Sequence, residues 1–158
     1  MKKISPSNPE NLCAAGTNMY VDLGSGIGLY QYDGSTLKRI STGDAEGMAS
    51  LGTDLYVDLG ATGLYRYRSG VLKRVNVNNA EALQAAGTKL YVDFGAQLGL
   101  YSYDGTSWLQ ISKSDPEGMA AVGSDLYVDF GASGVYRYTG GVLSRVNSSN
   151  AEALCGAG

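Results

Sequence analysis

The chain has no histidine, and only 17% of its 158 residues are charged. Without histidine there is no Ser-His-Asp or Cys-His pair, so the commonest routes to nucleophilic catalysis are closed. Two cysteines with no histidine beside them do not make a zinc site, and neither metal nor cofactor is expected. Lysine and arginine number 12 against 15 acids, with no basic cluster, which argues against a nucleic-acid partner. No apolar run is long enough to span a membrane, and the chain is read as soluble. Met1-Lys2-Lys3 has the charge of a leader, but no apolar stretch follows and Pro6 and Pro9 interrupt. No signal peptide is expected in this chain, and no compartment is assigned. The glycine-rich turns lead into strands and not helices, so they are not phosphate loops. No asymmetric carboxylate pair stands out, and an enzyme is not expected.

What the chain has is a repeat. Tyr20-Val21-Asp22-Leu23-Gly24 returns as Tyr56-Val57-Asp58-Leu59-Gly60, Tyr91-Val92-Asp93-Phe94-Gly95 and Tyr127-Val128-Asp129-Phe130-Gly131, in steps of 36, 35 and 36 residues. A fixed period of this size marks a propeller, solenoid or array. In the second copy, Gly47–Leu51 is short and apolar. Leu55–Leu59 alternates, with Leu55, Val57 and Leu59 on one face and Tyr56 and Asp58 on the other. Leu64–Tyr67 and Val71–Val75 complete a set of four short strands, and the 23 glycines supply the turns between them. Asp33-Gly34 and Asp104-Gly105 sit where a hairpin needs positive φ. Ala80–Ala86 and Pro116–Val122 have some helical propensity but are too short to stand as helices.

Four antiparallel strands per repeat predict an all-β protein of the β-propeller class, with a β-solenoid or prism as the alternative. The expected division is a single repeat domain over 1–158: a terminal outer strand at 1–8, blades at 9–44, 45–79, 80–115 and 116–150, and an extra inner strand at 151–158. A shift of 71 residues superposes the first pair of blades on the second without a gap, so the duplicated unit is a pair. At an offset of 142, residues 1–16 and 143–158 are copies of one segment, and a closed four-blade ring has one place for both. Unpaired strand edges recruit other chains, so a homo-oligomer is expected, a dimer with eight blades above all.

Several residues invite a site. The repeated acids Asp22, Asp58, Asp93 and Asp129 read either as a ring of ligand-binding carboxylates or as buried acids bonded to a turn, and the structural role is favoured. Glu10, Glu46, Glu81, Glu117 and Glu152 repeat as well, either binding the amides of the crossing or lining a mouth. Cys13 and Cys155 share one repeat position and are either a disulfide across the junction or free thiols. The 12 tyrosines fall three to a blade, either as inter-blade packing or as sugar platforms. Trp108 stands where other blades have Leu37, Leu72 and Leu143, and is read as packing.

The pattern G-(T/S)-x-L-Y-V-D-(L/F)-G followed by G-(L/V)-Y-x-Y resembles β-propeller repeats over the whole chain. It is distantly similar to propeller lectins of the tachylectin kind, whose small blades each hold one sugar. That resemblance implies glycan as a partner, and it transfers no binding residue. The near-identity of the blades fits design or recent duplication. The expected function is a non-enzymatic propeller scaffold that assembles into a larger ring through incomplete ends, with a multivalent carbohydrate-binding lectin as the alternative.

Overall fold

The computed structural model describes residues 3–5 and 7–156. The chain is all-β, built as four four-stranded antiparallel sheets of the propeller-blade type, each following chain order. The first holds β1 (Asn11–Ala15), β2 (Asn18–Asp22), β3 (Leu29–Tyr32) and β4 (Leu37–Ser41). The second holds β5 (Gly47–Leu51), β6 (Asp54–Asp58), β7 (Leu64–Arg68) and β8 (Val71–Asn76). The third holds β9 (Ala82–Ala86), β10 (Lys89–Asp93), β11 (Leu100–Tyr103) and β12 (Trp108–Ser112). The fourth holds β13 (Gly118–Val122), β14 (Asp125–Asp129), β15 (Val135–Thr139) and β16 (Val142–Asn147).

Local chemistry explains the short strands. Between β3 and β4 the Asp33 carboxylate accepts the amides of Ser35 and Thr36 at 2.8 and 2.7 Å, while Gly34 takes φ +96°. This bend closes a hairpin that a side chain at Gly34 would strain. Asp104 repeats the arrangement with Thr106 and Ser107. The weakly helical segments at Ala80 and Pro116 become β9 and β13, because hairpin pairing with β10 and β14 overrides a small local propensity.

The one-residue difference between odd and even repeats lies after the second strand. In odd blades Gly24–Gly28 and Gly95–Gly99 close with an amide-to-carbonyl bond four residues back, from Gly28 to Gly24 and from Gly99 to Gly95. Even blades are one residue shorter there. They wind instead into a single 3₁₀ turn, Gly60–Thr62 and Gly131–Ser133, closed by bonds three residues back. These two turns are the only departure from strand and loop among the described residues.

The chain divides into two compact units at Asn79/Ala80, the boundary between the second and third blades. In the first unit β1 lies beside β5, and Ala15, Tyr20, Leu29, Leu55, Val57 and Tyr67 are buried together. The Tyr20 and Tyr67 rings meet edge to face at 5.9 Å, and the Tyr67 hydroxyl donates to Gln31 Oε1 at 3.0 Å. In the second unit β9 lies beside β13, and Ala86, Tyr91, Leu100, Leu126, Val128 and Tyr138 fill the same places. There Tyr91 and Tyr138 meet at 5.9 Å. Each unit is thus two blades joined by an aliphatic layer and one tyrosine pair.

The terminal segments differ from the sequence expectation. Residues 1, 2 and 6 of the expected outer strand at 1–8 lie outside the described residues, and the rest of that segment forms no strand. Ala151–Gly156, expected as an inner strand, forms none either, while residues 157 and 158 are outside the description. Gly156 nevertheless lies against the backbone of Ala121 in β13. The segment thus runs beside β13 without pairing as a strand, whereas β1, β5, β9 and β13 are each held in register by their hairpin with the next strand.

Removing one ring of a tyrosine pair should loosen its unit. Tyr67→Ala is expected to cost about 3–5 kcal/mol, the usual cost of truncating a buried aromatic. Urea unfolding of the variant against the parent measures it, and a loss below about 1 kcal/mol would show that the pair is not a main contact.

Candidate functional site: the carboxylate turns

The acids of the repeat end the second strand of each blade, and all four are buried: Asp22 and Asp58 at 0% exposure, Asp93 at 2% and Asp129 at 3%. The next residues turn away through a glycine of positive φ, for instance Gly95 at +75°. One oxygen of the aspartate accepts that glycine's amide, at 3.3 Å for Asp22–Gly24, 2.9 Å for Asp93–Gly95 and 3.1 Å for Asp129–Gly131. In the fourth blade the second oxygen of Asp129 also accepts the Ala151 amide at 3.3 Å. In the first blade the corresponding amide, Ala45, favours the charged form of Asp22. It lies outside hydrogen-bond geometry, and Asp22 Oδ2 is buried without a hydrogen-bond partner.

The repeated glutamate joins the same turn. Its amide donates to the carbonyl of the blade aspartate, from Glu10 to Asp22 at 2.9 Å, Glu46 to Asp58 at 3.0 Å, and Glu81 to Asp93 and Glu117 to Asp129 at 2.8 Å. This bond extends the ladder between first and second strands by one rung. The glutamate carboxyl then lies directly over the turn glycine (Gly24, Gly60, Gly95 or Gly131), in space that a Cβ would occupy. Glycine is required at this position twice over, for its φ and for the carboxyl above it.

In the odd blades a third carboxylate arrives from the crossing into the following blade. Glu10, Asp22 and Asp44 bring oxygens within 4.8 Å of one another, and Glu81, Asp93 and Asp115 do the same. Sequence reasoning singled out the first two acids of each trio and missed the third. The signal was available, because the position before the P/A-E step alternates as Asn8, Asp44, Asn79, Asp115, Asn150. Burial raises the pKa of Asp22, with Asp44 and Glu10 adding in the same direction against the Gly24 and Ala45 amides. Burial likewise pushes Asp93 up to about 6, helped by Asp115 and Glu81 and opposed by the Gly95 amide.

The other sequence candidates lie apart from these turns. Cys13 in β1 is a half-buried free thiol, its pKa raised by burial, and Cys155 is an exposed free thiol; the two are not bonded to each other. The Trp108 ring stacks on Tyr103 at 4.5 Å and tilts against Phe94 at 5.6 Å, which is packing. Tyr20, Tyr67, Tyr91 and Tyr138 are engaged in their edge-to-face pairs. Among the described residues no helix is long and apolar enough to cross a membrane.

No family model matches the sequence, and no curated protein matches it. Among solved structures, a chain in a structure titled "Crystal Structure of Mitotic Checkpoint Complex" is similar at 14% identity with a TM-score of 0.58. The match covers 94% of this chain and 58% of that one, so this chain spans little more than half the length of its neighbour. The likeness supports the propeller-like repeat fold.

The titration of Asp93 sets a pH dependence. Its carboxyl holds a proton up to about pH 6 in the folded chain, against 3.8 ordinarily. The folded state therefore binds more protons between those values. The stabilisation is full below the unfolded pKa and is lost as pH rises through the folded one. In metal-free buffer the parent should gain stability from pH 7 to pH 5. Asp93→Asn keeps an acceptor for Gly95 and should lack that part of the gain. Asp93→Ala removes the acceptor and should cost about 1–3 kcal/mol at either pH. Thermal melts of the three proteins at both pH values decide it; identical pH profiles for parent and Asn variant would contradict the assignment.

Proposed function

We propose that the chain is a non-enzymatic propeller scaffold whose task is to present blades to protein partners, further copies of itself among them. The observation that carries this reading is where the repeated polar groups go. Asp22, Asp93 and Asp129 each bond to a turn of their own blade, and each repeated glutamate from Glu10 to Glu117 covers the glycine of that turn. Groups used identically in blade after blade build a frame, whereas catalysis calls for a set that differs from its copies. The solved neighbour stands in a complex, which is in keeping with protein partners.

Assembly draws support from the segment Ala151–Gly156. It lies beside β13 and forms no strand of its own, and an unpaired backbone edge there fits pairing with a strand of another copy. The lectin alternative rests on the resemblance to tachylectin-type repeats and on the tyrosines, four of which already have their rings against one another. Glycan therefore stands second to protein as a partner. Light scattering on the purified chain is expected to show a dimer or higher species. A strictly monomeric mass at high concentration contradicts self-assembly, and saturable binding on a glycan array would put the lectin reading first.

A further inference from the structure

We infer that the first unit carries a calcium site, formed by Glu10, Asp22 and Asp44. This goes beyond the scaffold reading, and runs against the sequence expectation of no metal. This trio brings three carboxylate oxygens within 4.8 Å of one another. That separation is about twice a Ca–O bond of ~2.4 Å, so oxygens on opposite sides of one ion can stand this far apart. The donors are all hard oxygens, with no sulfur or nitrogen, which suits calcium and disfavours zinc or copper.

A separate observation points to a ligand in the first trio. Asp22 is fully buried, and its Oδ2 accepts no hydrogen bond. A buried carboxylate oxygen left without a donor is costly, and a cation at the trio gives it a partner. The fourth blade shows the contrast, because the Ala151 amide takes up the equivalent oxygen of Asp129. Even blades also carry asparagine, Asn79 or Asn150, where the odd blades carry the third acid. The charge is thus concentrated at two of the four turns.

Among the described residues, the charged groups that shift the two buried aspartates are all acids. The charged side chains that act on Asp22 are Asp44 and Glu10, and those that act on Asp93 are Asp115 and Glu81. The Arg68–Asp54 and Arg137–Asp125 ion pairs involve other acids. The local frame holds the trio in place before any ion arrives. Asp22 is fixed by the Gly24 amide, and Glu10 by its own amide on the Asp22 carbonyl and its carboxyl over Gly24. Asp93, Glu81 and Gly95 repeat these contacts. Magnesium asks for tighter octahedral geometry at about 2.0–2.1 Å, so calcium is the better fit. Three carboxylates with the rest of the shell from water suit a Kd on the order of 10⁻⁴ to 10⁻³ M.

The test is calorimetric titration of CaCl₂ into chelator-treated, desalted protein, with MgCl₂ at matched ionic strength as the comparison. One ion per chain is expected, with magnesium at least tenfold weaker. Excess calcium should raise the melting temperature by about 5 °C over the chelated state. Asp44→Ala should bind no ion. In chelator it should melt no lower than the parent, because without an ion Asp44 only adds repulsion to the Asp22 carboxylate. Glu10→Gln provides a second variant that should lose the ion. A flat calcium titration, an equal response to magnesium, or a calcium shift unchanged in the two variants would overturn the proposal.

Discussion

One bond recurs at the corner of the first, third and fourth blades, between the carboxylate at the end of the second strand and the glycine amide two residues on. The strand must stop there and reverse toward the third strand, and its last amides would otherwise be buried without acceptors. The aspartate supplies the acceptor from within the blade, in the charged form that makes the bond strong. The glutamate completes the corner by adding a rung to the ladder and covering the glycine. Burial makes these acids costly to ionise, visible in the raised pKa of Asp22 and Asp93. The fold therefore carries paid-up order at its corners along with residual negative charge, and the odd blades concentrate that charge.

The pairing of blades follows from small differences between odd and even copies. The longer odd turn closes four residues back, and the shorter even turn winds into 3₁₀. The odd copies are followed by an acid at the crossing and the even ones by asparagine. Tyrosines at equivalent places then bind an odd blade to the next even one, Tyr20 to Tyr67 and Tyr91 to Tyr138. The 71-residue duplication is thus also a structural unit, with its own apolar layer and its own acidic corner.

Much of this was legible in the residues. The period, the four strands and the Asp-Gly hairpins could be read because glycine placement and two-residue alternation are local signals. The structural role of the repeated aspartates could be argued from burial alone. What the repeat hid was partnership across distance. Asp44 and Asp115 look like linker residues in sequence, and only the fold brings them to Asp22 and Asp93. The glutamates were assigned to crossing amides or a mouth, whereas their carboxyls lie over glycines fourteen residues on, as Glu10 does over Gly24. The terminal copies repeat the strand pattern in sequence, yet their described residues form no strand.

The central claim is that the aspartate–glycine bond holds the corners at Gly24, Gly95 and Gly131, and amide hydrogen exchange of these glycines tests it most directly. Gly24, Gly95 and Gly131 should exchange as slowly as the amides of the adjoining second strands, opening only with the unit as a whole. Gly34, at an exposed hairpin tip, supplies the fast reference. Exchange of the three turn glycines at the rate of Gly34 would contradict the account.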